Sequence, residues 1–254
     1  MNIAGILVKN FGFKEQTIYG ERVAYKRDNI LLAYIEKDIF DLHELVGSSI
    51  DSVICISRHS SERGKPTLTT HVPGNPGPAA ELGGAPRTLA WADPYRMKSA
   101  LIELSESSSR LGLEYSVSLE ATHHGPTELQ VPVLFVEIGS TRKQWLSPRA
   151  GEAAAAAAFK AATERIDSRS AVGFGGGHYS PKHTSVMISG DFAIGHVLPG
   201  YFFEDYDPRI VEQAFSKTVG GCGTAVIDWK GLKSNPRKNL ISTLEEIGVE
   251  SVRV

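Results

Sequence analysis

From residue 51 to the C-terminus, short apolar runs alternate with longer stretches of helical spacing, and this alternation constrains the chain more than any other feature. Strands and helices in repeated succession fold as an α/β protein whose helices cover a sheet. Strands are expected at residues 52–56, 115–121, 132–138, 171–174, 184–188, 224–227 and 249–254, most of them short, β-branched and bounded by Gly, Pro or Ser. The expected architecture is one α/β domain over residues 1–254, a mixed, mostly parallel sheet flanked by helices, with no internal repeat.

The helices are marked at their starts. Asp93-Pro94, Ser147-Pro148, Asp207-Pro208 and Asn235-Pro236 each pair a capping side chain with a proline at the first turn, where a missing N–H costs nothing. After Pro94, Met97, Ala100, Leu101, Leu104 and Leu111 fall at helical spacing through residue 111. The helix after Pro148 holds six consecutive alanines, 153–158, which favour helix and give a thin surface able to lie close to a sheet. The third helix runs through Phe215 and the fourth ends at Gly248.

Between Ser57 and Ala92 this order breaks down into a Gly-, Pro-, Ser- and Thr-rich stretch, expected to be a long functional loop. Its density of His, Arg, Glu and Lys is that of a site-forming loop rather than a linker. Against 29 acidic residues the chain carries 27 Lys and Arg, so a formal charge of −2 excludes a polybasic coat for nucleic acid, and any such partner must meet a local basic face. Two separated cysteines, Cys55 and Cys222, form neither a metal-binding pair nor a disulfide framework. No apolar run nears the roughly 18 residues that cross a bilayer. A reducing, cytoplasmic setting is expected.

The chemistry lies in the histidines. His59 and His71 bracket the first part of the long loop, His123 and His124 follow an apolar strand and precede Gly125-Pro126, and His178 follows Gly175-Gly176-Gly177. Imidazole suits proton transfer and metal binding near neutral pH. Neighbouring strand residues point to opposite faces, so His123 and His124 reach one site only if the chain turns there. The glycine run lets backbone N–H groups approach an anion. Glu62, Glu120, Glu137 and Asp191 are the carboxylates that could join imidazoles around a metal ion, although neither an HExxH motif nor finger spacing is present. His43 and His196 carry no such context. Arg58, Arg63 and Lys65 form one basic group, and Lys230, Lys233, Arg237 and Lys238 beside Trp229 form another, able to grip phosphates if they share a side of the molecule.

The ordered series SRHSSERGKPTLTTHVPGN, AELGG, ATHHGPT, VEIGS, GGGHYSPKHT, GHVLPGY and DWKGLK, between Ser57 and Lys233, resembles the D-aminoacyl-tRNA deacylases of archaea and plants. The resemblance implies hydrolysis of the ester joining a D-amino acid to the terminal ribose of tRNA, and a mixed α/β fold similar to peptidyl-tRNA hydrolase and nucleoside phosphorylases. It also implies zinc. The matching positions are His59, Glu62 and His71, then His123 and His124, then His178 with Tyr179, while Arg63 and Thr70 depart from the form SESGKPTLTVH. The expected roles are catalysis by His123, His124, His59 and His178, and metal binding by His59, His71, His123 and His178. Substrate binding is expected from Arg58, Glu62, Lys65, Gly176, Gly177, Tyr179, Lys230 and Lys233. The partner is a tRNA charged with a D-amino acid, with no membrane or DNA partner and a monomeric chain. Two other classes share these residues: a metal-dependent hydrolase or phosphorylase of small nucleosides, and a noncatalytic tRNA-binding module.

Overall fold

The structure, a computed structural model, describes residues 2–18, 22–35, 38–43, 50–62 and 64–254; Arg63 lies outside them. In chain order the helices are α1 (Asn2–Asn10), α2 (Pro94–Arg110), α3 (Arg142–Trp145), α4 (Pro148–Thr163), α5 (Pro181–Ser189), α6 (Pro208–Ser216) and α7 (Ser234–Glu246). The strands are β1 (Lys14–Ile18), β2 (Arg22–Arg27), β3 (Ile30–Ala33), β4 (Val53–Ser60), β5 (Thr67–His71), β6 (Gly74–Asn75), β7 (Thr88–Leu89), β8 (Ser116–Leu119), β9 (Val133–Ser140), β10 (Arg169–Phe174), β11 (Phe192–Leu198), β12 (Thr224–Ile227) and β13 (Glu250–Arg253). Among the described residues no helix is long and apolar enough to cross a membrane.

Two four-stranded sheets, ordered β4-β9-β5-β8 and β11-β10-β12-β13, form the frame. All their pairings are parallel except β5 with β9, so the sheet is mixed and mostly parallel as expected. The sheets are joined where the chain leaves β8: Thr122 N–H donates to Val197 O of β11 at 2.8 Å, and Val197 N–H donates to Thr122 Oγ1 at 3.1 Å.

Alternation along the strands gives the first sheet two unlike faces. Ile54 and Ile56 of β4, Leu134, Val136 and Ile138 of β9 and Leu68 of β5 pack against α1, α2 and α4 in one core. The alanines of α4 do what their small size allows: Ala153, Ala154, Ala155 and Ala157 are fully buried in that core. The opposite face carries Ser57 and His59, Glu137 and Gly139, Thr67, Thr69 and His71, and Ser118 with the following Glu120. In register, Ser57 stands beside Glu137, Glu137 beside Thr69, and Thr69 beside Ser118, a polar row across all four strands. A buried polar face of this kind needs partners other than an apolar core.

Three expectations need correction. Residues 57–92 are not one long loop, because β4 continues through Ser60 and the stretch also holds β5, β6 and β7. Residues 184–188 are not a strand but lie in α5, which Pro181 opens at the first turn. There the Thr184 hydroxyl donates to Ser180 O at 2.8 Å, and burial of Met187 outweighs the β-branched composition. The last helix begins at Ser234 with Lys233 as its cap position, so Asn235 is not its cap. The other three caps are as read, Asp93, Ser147 and Asp207 each accepting first-turn N–H groups.

Candidate active site

Glu120 is the centre of the site. It follows β8 on the polar face, its side chain is fully buried, and four imidazoles point nitrogen atoms at it. His178 Nε2 lies 3.2 Å from Oε2, His59 Nδ1 3.5 Å from Oε1, His123 Nε2 3.6 Å from Oε2 and His71 Nδ1 3.8 Å from Oε2. A second buried carboxyl, Glu137, stands 3.7 Å from His59 Nδ1.

Each histidine arrives from a different element. His59 comes from β4 and His71 from β5, two strands that run in opposite directions on either side of β9, and both side chains lie on the polar face. His123 and His124 both reach the site because His124 adopts a left-handed backbone, φ 48°, which turns the chain at a cost of about 1–2 kcal/mol. The turn is held by Gly74 N–H, which donates to the carbonyls of His123 (3.2 Å) and His124 (2.7 Å). His178 comes from the turn after β10, with its carbonyl accepting from Ala121 N–H at 2.7 Å.

These contacts fix which nitrogen of two rings carries a proton. His123 Nδ1 donates to Ala121 O at 2.7 Å and His124 Nδ1 to Gly125 O at 2.6 Å, so both neutral rings turn Nε2 lone pairs into the site. His124 Nε2 faces His71 Nε2 at 3.2 Å. Burial, reinforced by the neighbouring imidazoles, lowers the His123 pKa to about 3, and burial lowers that of His124 to about 4. Burial also pushes His71 well below its ordinary value and lowers His59. Burial and the Glu120 charge hold the Glu137 carboxyl well above the usual range. Burial would raise Glu120 too, but the close approach of His178 and the other surrounding rings outweighs it and leaves Glu120 below its ordinary value. The centre is therefore one carboxylate among imidazoles, of which burial holds His59, His71, His123 and His124 toward the neutral form.

Such a centre has too many acceptors. Both Glu120 oxygens, His71 Nδ1 and His178 Nε2 are buried without a hydrogen-bond partner. His59, Glu120, His123 and His178 offer four donor atoms within 4.8 Å of one another, and His71 with His123 and His124, or with Glu120 and Glu137, forms two further such groups. Lone pairs gathered around a buried carboxylate suit a cation.

A cleft of 340 Å³ opens on one side of this centre, lined by His123, His124, Thr122, the 74–79 segment, and Tyr201 and Phe202. Tyr201, half-exposed at its rim, was not singled out by motif reasoning; its place in GHVLPGY was the available signal. Glu120 was one of four carboxylates considered and stood out only once strand parity aimed it at the histidines.

Other expected residues lie elsewhere. Arg58 points to the opposite face of β4 and stacks over the Trp145 ring at 5.1 Å, while Glu62 and Lys65 are exposed beyond the end of β4. Asp191 sits beside the start of β10, where its carbonyl accepts from Arg169 N–H. Tyr179 does join the site, its ring 5.9 Å from that of His59. Gly176 cannot offer its N–H to an anion, because that group donates to Gly231 O at 3.3 Å. Lys230 and Lys233 are exposed, and Lys233 Nζ lies 4.0 Å from Glu204, which lines the cleft. His183 and His196 are core residues bonded to the carbonyls of Val226 and Ala90.

The D-aminoacyl-tRNA deacylase family model matches residues 46–252, most of the chain. The chain belongs to this family. A D-aminoacyl-tRNA deacylase of Pyrococcus furiosus is 37% identical over 261 residues, covering 100% of this chain and 95% of the relative. One from Methanosarcina barkeri is 40% identical over 210 residues, covering 83% of this chain and 67% of the relative. A crystal structure of a conserved protein of unknown function superposes with a TM-score of 0.90 at 32% identity, covering 99% of this chain and 90% of that one. In this chain the α/β frame brings His59, His71, His123 and His178 to one buried carboxylate, with His124 against His71.

Proposed function

We propose that the chain is a D-aminoacyl-tRNA deacylase: it hydrolyses the ester between a D-amino acid and the terminal ribose of tRNA, releasing both. The observation that carries this reading is Glu120 within 3.2–3.8 Å of four imidazole nitrogens beside an open cleft, in a chain of this family. Family membership favours the ester over a small-nucleoside substrate.

Ester hydrolysis needs an activated water and a stabiliser for the oxyanion. We assign the cation-binding role to His59, Glu120, His123 and His178, with zinc as the ion. These four residues offer donor atoms within 4.8 Å of one another, a mixed imidazole and carboxylate set of the kind zinc takes, and three of them would hold it with a position left for water. When bound, such an ion acts as a Lewis acid, making the attacking water more acidic and offsetting charge on the carbonyl oxygen.

The chain's own residues supply the rest. His124 borders the cleft with its tautomer fixed by Gly125 O, and it takes the water's proton at Nε2. His71 Nε2 lies 3.2 Å from the same nitrogen and fixes the position of the ring. Tyr179 lies against Ser61, Thr67 and Ser140 and closes the wall behind His59. We assign a cytoplasmic location and a monomeric active unit, since charged tRNA is made there and one chain supplies the whole site.

Release of labelled amino acid from D-tyrosyl-tRNA and L-tyrosyl-tRNA tests the reading. Fast release from the D form alone is expected, with loss of turnover after His123→Ala with His124→Ala. Full activity of that double variant refutes the assignment of roles, and no release by the wild type supplied with zinc refutes the function.

A further inference from the structure

The strongest charged feature outside the histidine centre is a groove of 410 Å³ between α7 and β13, lined by Trp229, Ser234, Arg237, Lys238, Ser242 and Arg253. We propose that this groove seats phosphates of the tRNA acceptor stem while the charged end of the same tRNA occupies the histidine site. The proposal rests on the deacylase reading above.

Preorganisation is the first argument. Trp229 is the floor, and two guanidinium groups lie on its indole, Arg253 at 3.8 Å and Arg237 at 4.2 Å from the ring centroid. Arg237 Nη1 also donates to Trp229 O at 2.7 Å. Stacking and that hydrogen bond hold the planar forks before any ligand arrives, so less side-chain freedom is lost on binding phosphate.

Uncompensated charge is the second. Arg87, Arg96, Arg169 and Arg209 elsewhere in the chain are each paired with a carboxylate. Among the described residues none of Lys230, Arg237, Lys238 and Arg253 has such a partner within 4.0 Å. Lys233 reaches only Glu204, at 4.0 Å. Arg237, Lys238 and Arg253 thus meet at one groove, with Glu245 as the single acidic residue of its lining. A double-stranded RNA backbone presents the complementary anions, and phosphate contacts position it without reading sequence.

Continuity with the reactive centre is the third. Gly231, two residues after Trp229, accepts from Gly176 N–H at 3.3 Å, and Gly176 O accepts from Gly200 N–H at 2.8 Å. His178 lies two residues beyond Gly176, and Tyr201 of the cleft rim follows Gly200. One turn therefore ties the segment that follows Trp229 both to His178 of the site and to the cleft rim, a backbone connection between groove and cleft.

The test compares D-tyrosyl-tRNA with the D-tyrosyl ester of adenosine, which lacks a stem. Lys238→Glu and Arg253→Glu, singly and together, are expected to raise KM for the charged tRNA about tenfold or more and to leave kcat and hydrolysis of the adenosine ester unchanged. The log–log salt dependence of kcat/KM for the tRNA should become shallower by about one for each cation removed. Unchanged KM for the tRNA in Lys238→Glu, an exposed side chain, overturns the proposal while leaving the deacylase reading in place. Equal losses on both substrates also overturn it. Failure of the wild type to hydrolyse either ester refutes the underlying function instead.

Discussion

Replacing Glu120 by glutamine tests the site at its centre. The change keeps size and shape but removes the one buried negative charge around which His59, His71, His123 and His178 are arranged. Two unit charges about 4 Å apart interact by about 4 kcal/mol at the effective dielectric that reproduces protein measurements. A cation held among nitrogen atoms 3.2–3.8 Å from the carboxylate oxygens lies at least that close. Glu120→Gln should therefore weaken cation binding by about 4 kcal/mol per unit of charge, roughly a thousandfold or more. Turnover of D-aminoacyl-tRNA should fall with it at limiting zinc. Zinc content after dialysis against a graded metal buffer measures the first quantity, and initial rates in the same buffers the second. A variant that retains zinc at wild-type affinity and works within tenfold of wild type would refute the claim that this carboxylate anchors the centre.

Zinc added at about 100 times its Kd should stabilise the wild type by about 2.7 kcal/mol, a rise of roughly 5–11 °C in Tm for a chain of this size, and should leave the melting of Glu120→Gln unmoved. His196, fully buried on Ala90 O with its pKa lowered to about 3 by burial, stays neutral in the fold while the unfolded chain takes up a proton below pH 6.5. Its contribution is intact above pH 6.5 and is lost as pH falls toward 3, by about 1.4 kcal/mol per unit; urea unfolding at pH 6, 5 and 4 should show a slope in His196→Gln shallower than wild type by about that amount. Ala154→Leu overfills the α4 core and should cost about 1–3 kcal/mol in urea unfolding with kcat unchanged. Gly74→Ala places a Cβ 2.8 Å from Leu89 Cδ2 and Thr122 Cγ2, beside the N–H that holds the His123 and His124 carbonyls, so both stability and kcat should fall.

Helix starts were legible because their signals are local: Asp93, Ser147 and Asp207 each hold first-turn N–H groups just ahead of a proline. The buried polar strand was not. In β5, Leu68 alone enters the apolar core, while Thr67, Thr69 and His71 face the site, so the segment lacks apolar alternation and looks like loop. Glu62 drew attention by its closeness to His59 in sequence, but the chain turns away after β4 and leaves it exposed. Glu120 stands 61 positions from His59, and only the parity of β8 and the β5–β8 pairing bring it to the same face. The α5 segment failed for the opposite reason: its local composition was clear, and packing of Met187 with Val186 against the neighbouring core overrode it.

The reactive groups sit at a seam, and the seam explains why they can be both buried and reactive. Inside either sheet, strand pairing satisfies the backbone and side chains fill the space between layers. At the end of β8 the chain instead passes from one sheet to the other, bonding to Thr70 O through Glu120 N–H, to His178 O through Ala121 N–H and to Val197 O through Thr122 N–H. Three successive residues are thus fixed by backbone bonds to separate elements. That junction can be filled by polar groups because the backbone there is already held in place. It leaves Thr67, Thr69 and Thr70 hydroxyls buried without partners beside the orphaned Glu120 oxygens, a cost of about 1–3 kcal/mol for each group left unpaired. A cation held there would relieve the largest of these deficits and would also fasten the two sheets to each other, because His59 lies on β4, Glu120 follows β8 and His178 lies in the turn leaving the second sheet.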